Sequence, residues 1–202
     1  METIGSNQAV LEGRAAGVPR PSHTNHGVTY FLFPLEVERL SGTADTLNVV
    51  CSQEMLSACP VLPGESYRAQ GEVRSFNNRS GVGSRLVITF FAKSLERGTG
   101  AQDNRLELTG VLCKAPNLRQ TPLGREICDL LLAVNRRYGR ADYLPCITWG
   151  ALARTCGALE VGDGVHLTGR LQSRTYRKLL GDREEERTAF EISVLTLEAF
   201  RE

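Results

Sequence analysis

The chain has 202 residues, 41% of them apolar and 23% charged, with 24 Lys and Arg against 23 Asp and Glu. That is room for one large or two small globular domains. No apolar run approaches the roughly 20 residues a membrane helix needs, and the opening METIGSNQAV lacks the basic-then-apolar pattern of a secretory signal.

The first half reads mostly as strands, over residues 8–16, 28–38, 46–51, 65–75 and 85–94, with a short helix near 53–59. The small, polar run 97–103, RGTGAQD, reads as a linker. The second half repeats the order, with strands over 105–113, 125–135, 142–149, 164–173 and 189–199 and a helix over 151–157 before the turn Gly162-Asp163. Five strands with a helix between the third and fourth is the order of the OB-fold, a five-stranded Greek-key barrel. The expected fold is therefore all-β, two tandem OB-folds over 1–96 and 104–202, each with one short helix.

An internal repeat supports two like halves. At an offset of 97, Leu11 and Gly13 match Leu108 and Gly110, Pro19 matches Pro116, and Thr24 and Gly27 match Thr121 and Gly124. Leu35, Val37 and Arg39 match Leu132, Val134 and Arg136; Gly42, Ala44, Asp45 and Leu47 match Gly139, Ala141, Asp142 and Leu144. A one-residue slip then aligns Gly64, Gly71 and Ser75 with Gly162, Gly169 and Ser173. Glycine, proline and apolar positions dominate, so the repeat reports shared backbone geometry.

Charge and rings are not shared. Residues 1–100 carry nine Lys and Arg against nine Asp and Glu, whereas residues 101–180 carry twelve against seven, before the acidic run Glu184 to Glu186. Within LAVNRRYGRADYLPCITW, residues 132–149, Arg136, Arg137 and Arg140 are interleaved with Tyr138, Tyr143 and Trp149. On a strand, Tyr143, Pro145, Ile147 and Trp149 share one face, with Leu144, Cys146 and Thr148 turned inward. Pro145 lacks a ladder donor, which predicts an edge strand or a bulge. In the fourth strand of this half, Val165, Leu167, Gly169 and Leu171 suit a barrel interior, while His166, Thr168, Arg170, Gln172, Arg174 and Tyr176 face out, followed by Arg177 and Lys178. Rings stack on unpaired bases and guanidinium groups meet phosphates, so this pattern points to a single nucleic-acid strand.

The second half resembles bacterial single-stranded DNA-binding proteins. The matching pieces are L-x-G at 108–110, P-x-L-R-x-T-P-x-G at 116–124, L-A-V-N-R at 132–136, R-x-D-Y at 140–143 and W-G-x-L-A at 149–153. They continue with G-D-x-V at 162–165, G-R-L-Q-S-R-x-Y at 169–176 and T-x-x-E at 188–191. The resemblance implies four base-stacking positions, which fall on Tyr138, Tyr143, Trp149 and Tyr176, and basic contacts on or near Arg119, Arg136, Arg140, Arg174 and Lys178. It also implies a flexible, acidic recruitment tail; none follows Leu197 to Glu202, so tail-mediated recruitment of replication proteins is not expected. Tandem relatives dimerise, which makes a homodimer with four OB-folds the expected assembly. The expected location is the bacterial cytoplasm, with the nucleoid.

In the first half the positions matching Tyr138, Tyr143 and Trp149 are Ser41, Thr46 and Ser52. Phe76 remains, with Arg74, Arg79 and Arg85 around it, as candidate contacts of that barrel. The expectation is that the second barrel binds the strand while the first completes the assembly and adds cations.

The leading reading is a sequence-tolerant single-stranded DNA binder in replication, recombination or repair. The alternative is a replication or primosome accessory module with weak DNA or RNA binding. No phosphate loop, H-E-x-x-H or G-x-S-x-G is present, so no enzyme is expected. No cofactor or metal is expected either. None of the six cysteines forms a C-x-x-C pair, and free buried thiols in a reducing compartment are the expectation.

Overall fold

The structure is a computed structural model that describes residues 6–79, 84–181 and 183–200. Contacts divide it into two compact units. One, here the N-terminal unit, is Gln8–Arg74 with Thr89–Leu106. The other, the C-terminal unit, combines the first residues, Ser75–Ile88 and everything from Glu107 onward.

The N-terminal unit is built on β1 (Asn7–Ala15), β2 (Arg20–Asn25), β3 (Val28–Glu38), β4 (Ala44–Ser52), α1 (Gln53–Ala58), β5 (Ser66–Asn77) and β6 (Leu86–Arg97). The strands run β2-β3-β4-β6-β5-β1, and a second pairing of β3 with β1 closes the barrel. The C-terminal unit repeats this with β7 (Asp103–Leu112), β8 (Asn117–Gln120), β9 (Glu126–Arg136), β10 (Arg140–Trp149), α2 (Gly150–Gly157), β11 (Gly164–Leu180) and β12 (Arg183–Phe200). Its order is β7-β11-β12-β10-β9-β8, closed by β7 with β9. Each is an OB-fold, as the strand order predicts.

Two features extend beyond the strand bounds expected from the sequence. The fully exposed β2 and β8 extend β3 and β9 as hairpin edges. The pair β11–β12 runs on to Leu180↔Arg183, and its exposed far end holds Glu184, Glu185 and Glu186.

The repeated glycines mark where backbones must touch. A Cβ on Gly13 would lie 2.2 Å from the Glu36 carbonyl oxygen, and on Gly110, its repeat mate, 2.5 Å from that of Ala133. On Gly71 it would lie 2.0 Å from the Phe91 oxygen and on its mate Gly169 2.3 Å from the Ser193 oxygen. Beside Gly169 the β11–β12 register slips, leaving Leu195 unpaired as a bulge. Any side chain there forces the strands apart. Gly110→Ala is expected to lower stability by about 1–3 kcal/mol, measured by urea unfolding.

The interiors differ. Phe33, Tyr67 and Phe90 fill the N-terminal barrel, with the Tyr67 hydroxyl donating to the Pro60 oxygen at 2.9 Å. The C-terminal barrel is aliphatic, around Leu108, Leu132, Leu144, Leu167 and Leu171. The run 97–103 is tied down: Thr99 donates from N (2.6 Å) and Oγ1 (2.8 Å) to Glu12, a buried carboxylate that also takes Arg68. Those hydrogen bonds, from Thr99 first, hold the Glu12 carboxyl below its usual range.

All six cysteines are free, but Cys113 is exposed and Cys59 half-buried, so the expectation of buried thiols holds for four. Burial pushes the Cys51 thiol up to about 12. Among the described residues no helix is long and apolar enough to cross a membrane, and no group of three or more His, Cys, Asp and Glu converges as a metal site would require.

Candidate nucleic-acid interface

The sequence-predicted residues of the C-terminal barrel lie on β8, β9, β10 and β11 and in the turn between β9 and β10. Along β10, Leu144, Cys146 and Thr148 are buried inward, and Thr148 satisfies its hydroxyl on the Cys128 oxygen at 3.4 Å. Tyr143 and Trp149 face out, at 45% and 40% exposure, while Ile147 between them is covered. Pro145 does not make β10 an edge. The strand pairs with β9 along its whole length and with β12 only at Cys146 and Ile147, so the proline sits just before that short ladder.

Tyr138 stands at the hairpin between β9 and β10, 96% exposed. Its backbone is left-handed, φ 67° and ψ 36°, in a single 3-10 turn, Arg137–Gly139. That conformation costs a non-glycine residue roughly 1–2 kcal/mol. Such strain is found where a side chain must be presented. Tyr176, half-buried on β11, has the Arg174 guanidinium 5.6 Å from its ring centre.

The predicted cations fall into two groups. Arg119 forks onto Asp129 at 2.6 and 3.1 Å, which holds its guanidinium still more firmly charged. Arg174 lies 3.6 Å from Glu191, and Arg177 lies 3.5 Å from Glu184. Arg136 lies 2.9 Å from Asp142, a fully buried carboxylate. Arg137, Arg140 and Arg170, by contrast, have no carboxylate partner among the described residues, and the Arg170 Nε is buried without a hydrogen bond. Gln172 is buried and donates to Glu191 at 3.0 Å. The Lys178 side chain lies outside the described residues.

Glu191 was seen in the sequence only as a motif letter. It is 8% exposed at the centre of this face, bound to Gln172 and close to Arg174. Ser75 was seen only as a repeat position. Its N donates to Asp142 and its hydroxyl accepts from Tyr143 N, both at 2.7 Å, fixing the start of the ring-bearing strand.

The residues assigned to the first barrel separate. Phe76, half exposed, and the exposed Arg79 and Arg85 group with the C-terminal unit. Arg74 stays in the N-terminal unit, its guanidinium 3.9 Å above the Phe91 ring.

The single-strand binding protein family matches residues 103–200. Over 87 residues the chain is 38% identical to single-stranded DNA-binding protein A of Bacillus subtilis, covering 40% of this chain and 51% of that protein. Over 89 residues it is 34% identical to single-stranded DNA-binding protein 1 of Clostridium acetobutylicum, covering 40% of this chain and 81% of that one.

The chain belongs to the single-strand binding protein family. It spans about half the length of the Bacillus relative. In fold it is similar to the wild-type single-stranded DNA binding protein from Thermus aquaticus, with a TM-score of 0.78 at 23% identity over 98% of this chain and 94% of that chain. That likeness bears on the tandem barrel plan alone. Family membership rests on the C-terminal half, which is also the half carrying Tyr138, Tyr143, Trp149 and Tyr176.

Proposed function

We propose that this chain binds single-stranded DNA with little sequence preference, through the outer face of its C-terminal barrel, in replication, recombination or repair. The observation that carries the reading is the presentation of Tyr138, Tyr143 and Trp149 beside Arg137 and Arg140, two guanidinium groups with no carboxylate partner among the described residues. Rings take base faces without reading base edges, and unpaired cations take phosphates. The remaining ring, Tyr176, and Arg170 continue the same face along β11.

The arginines already on Asp129, Glu191 and Glu184 are held in position, and a phosphate must share them. This makes Arg137 and Arg140 the principal electrostatic contacts. Binding needs no catalysis, in keeping with a non-enzymatic family. The chain acts as a homodimer in the cytoplasm, on exposed strands of the nucleoid.

The test is a titration with dT oligomers of increasing length, following fluorescence of Trp149, the only tryptophan. Quenching that saturates, with affinity falling as salt rises, is expected. An affinity flat between low and high salt overturns the proposal. Arg137→Ala with Arg140→Ala is expected to reduce the slope of log affinity against log salt by about 1.4, at roughly 0.7 per phosphate contact on a single strand.

A further inference from the structure

Matching positions alone leave the first half poor in rings. The folded N-terminal unit is not. On β4 the residue matching Trp149 is Ser52, and the residue directly opposite Ser52 on β3 is Tyr30. In the C-terminal barrel the residue opposite Trp149 is Ile127. The ring has thus moved across one strand.

Tyr30 does not stand alone. His23 of β2 stacks on it at 4.9 Å between centroids and 11° between planes. Phe91 of β6 lies 5.5 Å from it, tilted by 42°. The Arg74 guanidinium then covers Phe91 at 3.9 Å. These rings lie outside a barrel whose interior is already filled by Phe33, Tyr67 and Phe90. They are not needed to make the core.

The ladder is open at its His23 end, because β2 is exposed along its whole length. At the other end Glu72 binds both Arg74 and Lys93, two cations on one carboxylate, which leaves a net positive charge. The open face of His23 at one end can take a base, and the cations at the other end can take a phosphate of the same unpaired strand.

We infer that His23, Tyr30, Phe91 and Arg74 form a second stacking site for single-stranded nucleic acid, separate from the C-terminal rings and displaced by one strand from the matching positions. The inference rests on the strand-binding reading above and assigns the N-terminal unit a contact of its own.

The experiment puts the reporter at each site in turn. In the parent protein Trp149 reports the C-terminal face. In a Tyr30→Trp, Trp149→Phe variant the only tryptophan lies in the ladder, and a ring is kept at both places. Oligo-dT of about 35 nucleotides is titrated into both, with binding followed independently by anisotropy of a labelled oligomer. A change in fluorescence from position 30 at the concentrations that saturate anisotropy is expected. Anisotropy that saturates while position 30 stays silent overturns this inference and spares the proposed function; no anisotropy change in the parent overturns both. As a second arm, His23→Ala, Tyr30→Ala and Phe91→Ala are added to a protein already lacking Tyr143, Trp149 and Tyr176. A further loss of tenfold or more in affinity is expected. An unchanged residual affinity, with thermal melting showing a folded protein, counts against the ladder.

Discussion

Replacing Tyr143, Trp149 and Tyr176 together with alanine is expected to weaken binding to oligo-dT by three to four orders of magnitude. Each stacked base contributes about 1–3 kcal/mol, so three rings supply about 5 kcal/mol, and each 1.4 kcal/mol is tenfold in affinity. The fold should tolerate the change, since Tyr143 and Trp149 are 45% and 40% exposed and no aromatic ring is buried in this barrel among the described residues. Anisotropy of a labelled oligomer at fixed salt measures the loss. Because the cations remain, the salt slope should be nearly unchanged while the intercept collapses. A loss smaller than tenfold places the binding energy elsewhere.

The same position shows how the two halves have been spent differently. In the N-terminal unit Ser52 caps α1, its Oγ accepting from Met55 N at 3.2 Å. In the C-terminal unit Trp149 occupies that cap and makes no such bond to α2. An N-cap serine stabilises a helix by about 0.5–2 kcal/mol. Giving it up for an outward ring is a local sacrifice that a purely structural role for Trp149 does not explain.

Much of the barrel plan was legible because it is written in residues with strict geometric demands. Gly13 and Gly110 recur at one register, and Gly71 and Gly169 one residue out of it, because no side chain fits where they sit. The inward alternation of Leu144, Cys146 and Thr148 was legible for the same reason, since one face of β10 is dry. The strands β2 and β8, and the far end of β11–β12, escaped because both their faces are wet and no alternation is imposed. The ladder of His23, Tyr30 and Phe91 escaped for a different reason. Its members are distant in sequence, and matching one half to the other looks only at equivalent positions, whereas the ring had moved to the facing strand.

Arg136, expected from the resemblance to contact the strand, carries a structural signal as well. Among arginines and tyrosines it resembles a phosphate ligand, yet Arg136 and Asp142 repeat Arg39 and Asp45 at the same spacing. Arg39 forks onto Asp45 at 2.7 and 2.5 Å in a half whose matching rings are gone. A charge pair kept where the rings are not kept is a barrel feature.

Arg136→Ala is therefore expected to act on stability first. Asp142 is fully buried, with Arg136 at 2.9 Å and Ser75 N at 2.7 Å. Removing one partner of a buried ion pair costs about 3–5 kcal/mol, because the remaining charge is left in a poor solvent; the surviving bond from Ser75 places this case near the lower figure. Arg39→Ala should cost a similar amount in the N-terminal unit. Urea unfolding followed by circular dichroism should show a clear fall in midpoint for both, and none for the exposed Arg137→Ala. Under conditions where Arg136→Ala remains folded, its salt slope for oligo-dT should match that of the parent. A variant as stable as the parent but with a reduced slope would make Arg136 a phosphate ligand and Asp142 its incidental neighbour.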